Sequence, residues 1–347
     1  MPDASPPGLP FTKMQAVGND FVVVDEGEWP ARANWSGAAI RLCDRHFGIG
    51  ADGFIVVGPS AVADARMQFF NPDGTPDMCG NGLRCVVKLV HERNGLSGER
   101  ITRSWTADNH KGVAQTVPER IPASVEQFGL IETPVGLRRV NVEIGPSETG
   151  VIHTDMGTPQ FAPPCLPMLL PDRADALNIL LSLGGVRAVT VSVVNTGSTH
   201  AVLWVDELPS DALFFTVSPH IEYHPVFPQR TSVIWAKLYA APGNLPYANR
   251  ADIRIWERGV GETLGCGTGA CAVAVAAAVE EKIQPHTWPV NPGAGYYSMQ
   301  VRSRGGELEV GYRRPKPEYN ASSEQGDPLT LTGRADFLFK GVWRGED

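Results

Sequence analysis

Residues 78–90 read MCGNGLRCVVKLV and residues 265–277 read GCGTGACAVAVAA, so Cys-Gly-x-Gly occurs twice, at Cys79 to Gly82 and at Cys266 to Gly269. After the first copy, Leu83, Val86, Val87 and Val90 fall at i, i+3, i+4 and i+7. That spacing is the amphipathic helix period, and Gly95 is placed to stop the helix. After the second, Ala270 to Val279 is apolar on every side, which predicts a helix buried all round as the axis of its part of the fold. Each cysteine then stands at a helix N-terminus.

Strand-like runs lead into both copies. Phe11 to Asp25 reads as strand, tight Gly18-Asn19-Asp20 turn, strand; Ala51 to Gly58 and Met67 to Phe70 follow. Ser104 to Pro122 is polar and loop-like, and Leu130 to Ile144 resumes the short-strand pattern. Val189 to Val194, His200 to Val205, Thr231 to Tyr239 and Asp252 to Trp256 precede the second copy, and Glu307 to Val310 and Phe337 to Trp343 close the chain. The copies lie roughly one domain length apart. A chain of 347 residues also exceeds what one core usually holds. The expectation is an α/β protein of two pseudo-symmetric lobes, residues 1–149 plus 334–347 carrying Cys79 and residues 150–333 carrying Cys266. The boundary falls where Gly, Pro and Ser cluster at Pro146 to Gly150.

Composition narrows the function. Hydrophobic residues make up 42% and charged residues 20%, so the bulk of the chain should fold. A net charge of -8 without any basic run argues against nucleic acid as a partner. No stretch has the length and apolarity of a membrane span, and MPDASPPGLPFTK lacks the charged and apolar regions of a signal peptide. A cytoplasmic enzyme with six reduced cysteines is the expectation.

The doubled cysteine setting implies chemistry. A helix N-terminus offers unpaired N–H groups and about half a positive charge, which binds carboxylates and favours a thiolate; thiols there can fall to about 7.5 or lower. Two such sulfurs across one cleft would let a thiolate take a proton from a carbon while the other thiol returns one from the opposite face, inverting the centre. The same amides would hold an α-carboxylate and spread the carbanion's charge. No pyridoxal phosphate or other cofactor is called for. Cys43 and Cys165 read as small core residues, and Cys85 and Cys271 as core within their helices, at spacings poor for zinc. Gly48-Ile-Gly50-Ala-Asp-Gly53 satisfies the dinucleotide pattern, but a strand-like FIVV follows where a helix should open. Eight scattered histidines give a metal site no support.

The chain resembles the diaminopimelate epimerases. The resemblance rests on KMQAVGNDFVVVD from Lys13, FGIGADGFIVV from Phe47, FFNPDGTPDMCGNGLRC from Phe69, DMGTP from Asp155, HPVFPQRTSV from His224, WERGVGETLGCGTGACAVAVAA from Trp256 and LTGRADFLFKG from Leu331. It implies two similar lobes, each a mixed sheet around a central helix, with the site between them. It implies Cys79 and Cys266 as acid and base, and backbone amides at Gly80, Asn81, Gly267 and Thr268 for the α-carboxylate. It further implies substrate contacts from Asn19, Asn71, Glu257 and Arg258, with Glu257 near the α-amino group. His200 and Glu257 would tune the thiols, and a homodimer is expected on the same ground. Apparent insertions lie around 105–123, 164–186 and 240–251.

Two departures bear on substrate. Gly197-Ser198-Thr199-His200 stands where the family usually reads GNPH, and Arg230-Thr231-Ser232-Val233 where it reads RTNV. Ser198 and Ser232 thus replace two asparagines that would meet the far end of diaminopimelate. This leaves a racemase for another amino acid as an alternative. From other classes, a thiol redox or metal-binding protein and a nucleotide-dependent oxidoreductase remain as competing readings.

Overall fold

A computed structural model describes residues 8–31, 33–98, 100–106, 120–144, 150–170, 173–185, 187–239, 249–283, 296–314 and 329–345. Residues 146–149 of the expected boundary, the middle of the expected 104–122 loop and much of the insertions near 105–123 and 240–251 lie outside the described residues.

The first array of elements runs β1 (Leu9–Ala16), β2 (Asn19–Asp25), α1 (Trp35–Cys43), β3 (Gly53–Gly58), β4 (Ala65–Phe70), β5 (Pro76–Asp77), α2 (Gly80–Asn94), β6 (Arg100–Thr106), β7 (Arg120–Thr133), β8 (Gly136–Ile144) and β9 (Val151–Gly157). The second runs β10 (Ile179–Ser182), β11 (Ala188–Asn195), β12 (Thr199–Trp204), α3 (Asp211–Glu222), β13 (Ser232–Tyr239), β14 (Arg250–Glu257), β15 (Gly261–Thr263), α4 (Gly267–Val279), β16 (Tyr296–Ser303), β17 (Gly306–Arg313), β18 (Leu329–Gly333) and β19 (Asp336–Trp343). It is a mixed, sheet-dominated α/β fold.

The strand pairings repeat. In the first array, β1–β2 is antiparallel, β2–β3 parallel, β3–β4 antiparallel, β4–β7 parallel, and β7–β8 and β8–β9 antiparallel. In the second, β11–β12 is antiparallel, β12–β13 parallel, β13–β14 antiparallel, β14–β16 parallel, and β16–β17 and β17–β18 antiparallel. Each parallel step needs a crossover, and the helices fall in matching places: α1 and α3 in the first crossover, α2 and α4 in the second. The arrays are joined where β9 pairs with both β8 and β18, and β19 returns to pair with β1.

Binary pattern explains the packing. On α2, Leu83, Val86, Val87 and Val90 are buried in a cluster with Met14, Phe21, Ile55, Met67 and Ile152. On α4 every residue from Gly267 to Ala278 is buried, among Val194, Ile234, Ile255, Val301 and Leu331. The small residues of GTGACAVAVAAAV let surrounding strands approach closely on all sides. Among the described residues no helix is long and apolar enough to cross a membrane.

Three local expectations are corrected. The first hairpin turns on Val17 and Gly18, both at positive φ, and Asn19 and Asp20 already belong to β2. A two-residue turn with left-handed backbone matches the twist of its strands. The expected loop from Ser104 to Pro122 is strand at both ends, because β6 and β7 pair antiparallel with Trp105 opposite Ile121. Cys165, read as core, is exposed on a short 3-10 turn at Pro163–Cys165, whereas Cys43, Cys85 and Cys271 are buried.

Candidate active site

Each cysteine caps its helix in the same way. Cys79 has φ −130 and ψ 113 and accepts the Gly82 N–H at 3.4 Å; Cys266 has φ −132 and ψ 114 and accepts the Gly269 N–H at 3.3 Å. The extended cap swings each sulfur over the free N–H groups of the first turn. Glycine at the third helical position is required by close approach: a Cβ on Gly82 would meet Ile55 Cδ1 at 2.9 Å, and one on Gly269 would meet Ile234 Cδ1 at 2.8 Å. Ile55 and Ile234 occupy equivalent strands, β3 and β13.

Both sulfurs line one cavity of about 670 Å³, within the range of small-molecule sites. Asn19, Asn71, Gly80, Asn81, Ser198, Ser232, Glu257, Arg258, Gly267 and Thr268 line it with them. His200 is fully buried behind Cys266 and Thr268. Sequence reasoning missed Asp52, Thr263, Arg230 and the carboxylates Asp73 and Asp77, which also line the cavity. Asp52 meets Asn19 across a sequence separation of 33, a contact that no local pattern reveals.

Around Cys79, Asn19 Oδ1 lies 3.9 Å from the sulfur as acceptor for the thiol, and Asn19 Nδ2 donates to Asp52 Oδ2 at 2.9 Å. Asn81 Nδ2 donates to Asn19 Oδ1 at 3.3 Å and to the Gly265 carbonyl at 3.0 Å, so the first cysteine turn is tied to the residue before the second cysteine. Around Cys266, the His200 ring nitrogen Nδ1 lies 2.8 Å from the Ser198 carbonyl, which can only accept. Nδ1 therefore carries the proton in this contact and Nε2 offers a lone pair, 3.7 Å from Cys266 Sγ and 3.3 Å from Thr268 Oγ1. Burial takes the imidazole down to about 4, which keeps it neutral.

Glu257 ends β14 inside the cavity and accepts the Thr263 hydroxyl at 2.6 Å. Burial pushes its carboxyl up to about 7. The Arg258 N–H donates to Ser232 Oγ at 3.1 Å, and its guanidinium reaches the Gln229 carbonyl at 3.3 Å and stands 3.9 Å from Asp77. Asn71 Nδ2 bonds Thr75 Oγ1 at 3.1 Å, and Ser198 Oγ is 3.5 Å from Thr268 Oγ1.

The thiol acidities correct the expectation from the helix ends. Burial pushes Cys79 up to about 12 and Cys266 well above the ordinary thiol value, against the lowering effect of the Gly82 and Gly269 N–H groups. The charge of Glu257 raises both further. Desolvation outweighs the helix ends at both sulfurs.

Gly48–Gly53 follows α1 and leads into β3, the reverse of the order a dinucleotide turn needs. Among the described residues, no group of three or more His, Cys, Asp or Glu side chains is arranged to hold a metal ion.

The doubled strand-turn-helix unit with a cysteine at each helix start belongs to a fold shared across 96% of this chain with a solved probable proline racemase from Agrobacterium radiobacter, of which it covers 92% at TM-score 0.63 and 15% identity. The sequence matches place it more closely. The profile described as diaminopimelate epimerase matches residues 11–118 and 192–324. The chain is 32% identical over 336 residues to a diaminopimelate epimerase of Heliobacterium modesticaldum and 35% identical over 337 residues to one of Desulforudis audaxviator, covering 96% of this chain and 99% of each relative. The chain belongs to the diaminopimelate epimerase family and is an isomerase.

Proposed function

We propose that the chain epimerises diaminopimelate between its LL and meso forms, a step of lysine and cell-wall precursor synthesis, with Cys79 and Cys266 as paired acid and base and no cofactor. The observation that carries this reading is the pair of sulfurs, each at a helix start, lining one cavity. The α-carboxylate would lie on the amides at Gly80 and Asn81 and at Gly267 and Thr268, with the ammonium group beside Glu257. The ionised sulfur takes the α-hydrogen as a proton and becomes a thiol, and the electron pair left on carbon spreads into the carboxylate held by the amides. The opposite thiol gives its proton to the other face and is left as the thiolate. Binding prepares the ionisation: an ammonium paired with Glu257 cancels a charge that holds both thiols protonated, and one thiol then releases its proton to bulk water to become the thiolate that starts the cycle.

Paired charges on the cavity wall support a substrate with a second zwitterionic group, because Arg230 and Arg258 line it together with Asp73 and Asp77. Ser198 and Ser232 favour a second reading in which the distal group differs from that of diaminopimelate. In this proposal the lobes are residues 1–149 plus 334–347, around α2, and residues 150–333, around α4. The protein works in the cytoplasm as a homodimer on a small amino acid, with neither nucleic acid nor membrane as partner.

An amino-acid panel incubated in deuterated water and resolved by chiral chromatography tests the reading. Diaminopimelate should gain deuterium at the α-carbon as LL and meso forms interconvert. Exchange with a different amino acid alone would select the second reading, and no inversion of any would overturn both.

A further inference from the structure

Arg84 is the largest fully buried side chain among the described residues, with 0% exposure. It lies in the first turns of α2. Its Nη2 donates to Asn81 Oδ1 at 2.6 Å and its Nη1 to the Gly80 carbonyl at 3.4 Å, while Nε has no hydrogen-bond partner. No carboxylate among the described residues pairs with it. A buried guanidinium keeps its charge and usually requires an anion to offset its lost hydration. The groups whose negative charge would act on it are sulfurs: Cys85, Cys79, Cys271 and Cys266.

Its position is the seam between the two cysteine helices. A Cβ on Gly267, the first residue of α4, would lie 3.0 Å from Asn81 Oδ1 and 3.6 Å from Arg84 Nη1, and one on Gly333 would lie 3.3 Å from Nε. Asn81, held by Arg84, reaches Asn19 beside Cys79 and the Gly265 carbonyl before Cys266.

We propose that Arg84 is a positioning residue for both cysteines, a fixed positive charge shared by whichever active sulfur is ionised, whose hydrogen bond to Asn81 holds the two turns in register. The inference rests on the acid–base reading of the cysteines. In that cycle one negative charge passes from one sulfur through the carbanion to the other, so a cation on the seam acts at every stage. The other ionisable groups facing the sulfurs are Glu257 from β14, His200 from β12 behind Cys266, and Asp52 behind Asn19, with Asp77 and Arg258 on the cavity wall. Arg84 favours ionisation of Cys79, whereas Glu257 opposes it.

The alkylation arm needs no substrate. Cys165→Ser removes the exposed thiol, and the rate of alkylation of Cys79 by iodoacetamide is followed by peptide mass spectrometry from about pH 8 to about pH 10, below the thiol's midpoint, where the rate follows the thiolate fraction. In Arg84→Gln and Arg84→Met the rate should fall roughly tenfold or more at each pH, while Arg84→Lys keeps the parent's rate. An unchanged rate in a folded neutral variant overturns the proposal. Should neither neutral variant fold, Arg84→Lys decides, since it keeps the charge and loses the fork that spans Asn81 and the Gly80 carbonyl. Its alkylation rate should match the parent while kcat falls at unchanged KM; slower alkylation or an unchanged kcat overturns the assignment. Failure of the amino-acid panel would leave the alkylation rates readable, so the two readings fail separately.

Discussion

Cys79 and Cys266 share one backbone conformation and one N–H contact, yet the side chains behind them differ. Cys79 is half-buried and backs onto an asparagine, whose oxygen can accept a hydrogen bond but cannot take the proton at neutral pH. Cys266 is buried and stands beside a neutral imidazole lone pair and near a carboxyl whose acidity is centred near neutrality. The repeated strand pairings account for the placement of the sulfurs, and unrepeated residues stand beside them. A repeated order of strand pairings thus carries two cysteines with unlike surroundings.

The largest expected effect treats the two sulfurs alike. Cys79→Ala and Cys266→Ala should each lower kcat for inversion by about a thousandfold or more, measured by circular dichroism of the amino acid; substantial turnover in either would break the equivalence. Glu257→Gln comes next, at about a hundredfold, and should remove the rise of kcat/KM with pH through about 7 as the carboxylate forms. The folded chain holds that proton up to about 7, against 4.5 for an ordinary glutamate, so stability should decline as pH rises across this window. Thermal melts of the Gln variant should lack that decline.

His200→Gln should act mainly on the Cys266 side, lowering kcat about tenfold. Because burial holds the folded imidazole neutral down to about 4, stability should fall as pH drops from 6.5 toward 4, and the variant should resist that loss. The smallest effect is expected at Ser198 and Ser232, which line the cavity. Ser232→Asn and Ser198→Asn should change KM for diaminopimelate by roughly threefold to tenfold with little change in kcat. A change in kcat instead would move these serines from recognition into the chemistry.

The cysteine turns were legible because a short motif and a change of hydrophobic period occur together at residues 79–90 and 266–279. Helix α3 was not, since Pro219 inside it and the adjacent Phe214-Phe215 pair obscure the period. Helix α1 is short, contains Gly37, and depends on the Asn34 cap. The thiol acidities were misjudged because a helix end can be read from sequence and burial cannot. Arg84 lay in plain view within CGNGLRC, yet its isolation from carboxylates exists only in the packed molecule.

The return of β19 to β1 bears on biogenesis. Residues 336–343 close the outer edge of a strand at residues 9–15, so during translation that edge, with Leu9 and Phe11, must wait for nearly the whole chain to emerge. Pairings of such long sequence separation slow folding and leave an open strand available to neighbouring nascent chains. Truncation before residue 336 should therefore be felt first as aggregation, even though every residue of the cavity has already been synthesised.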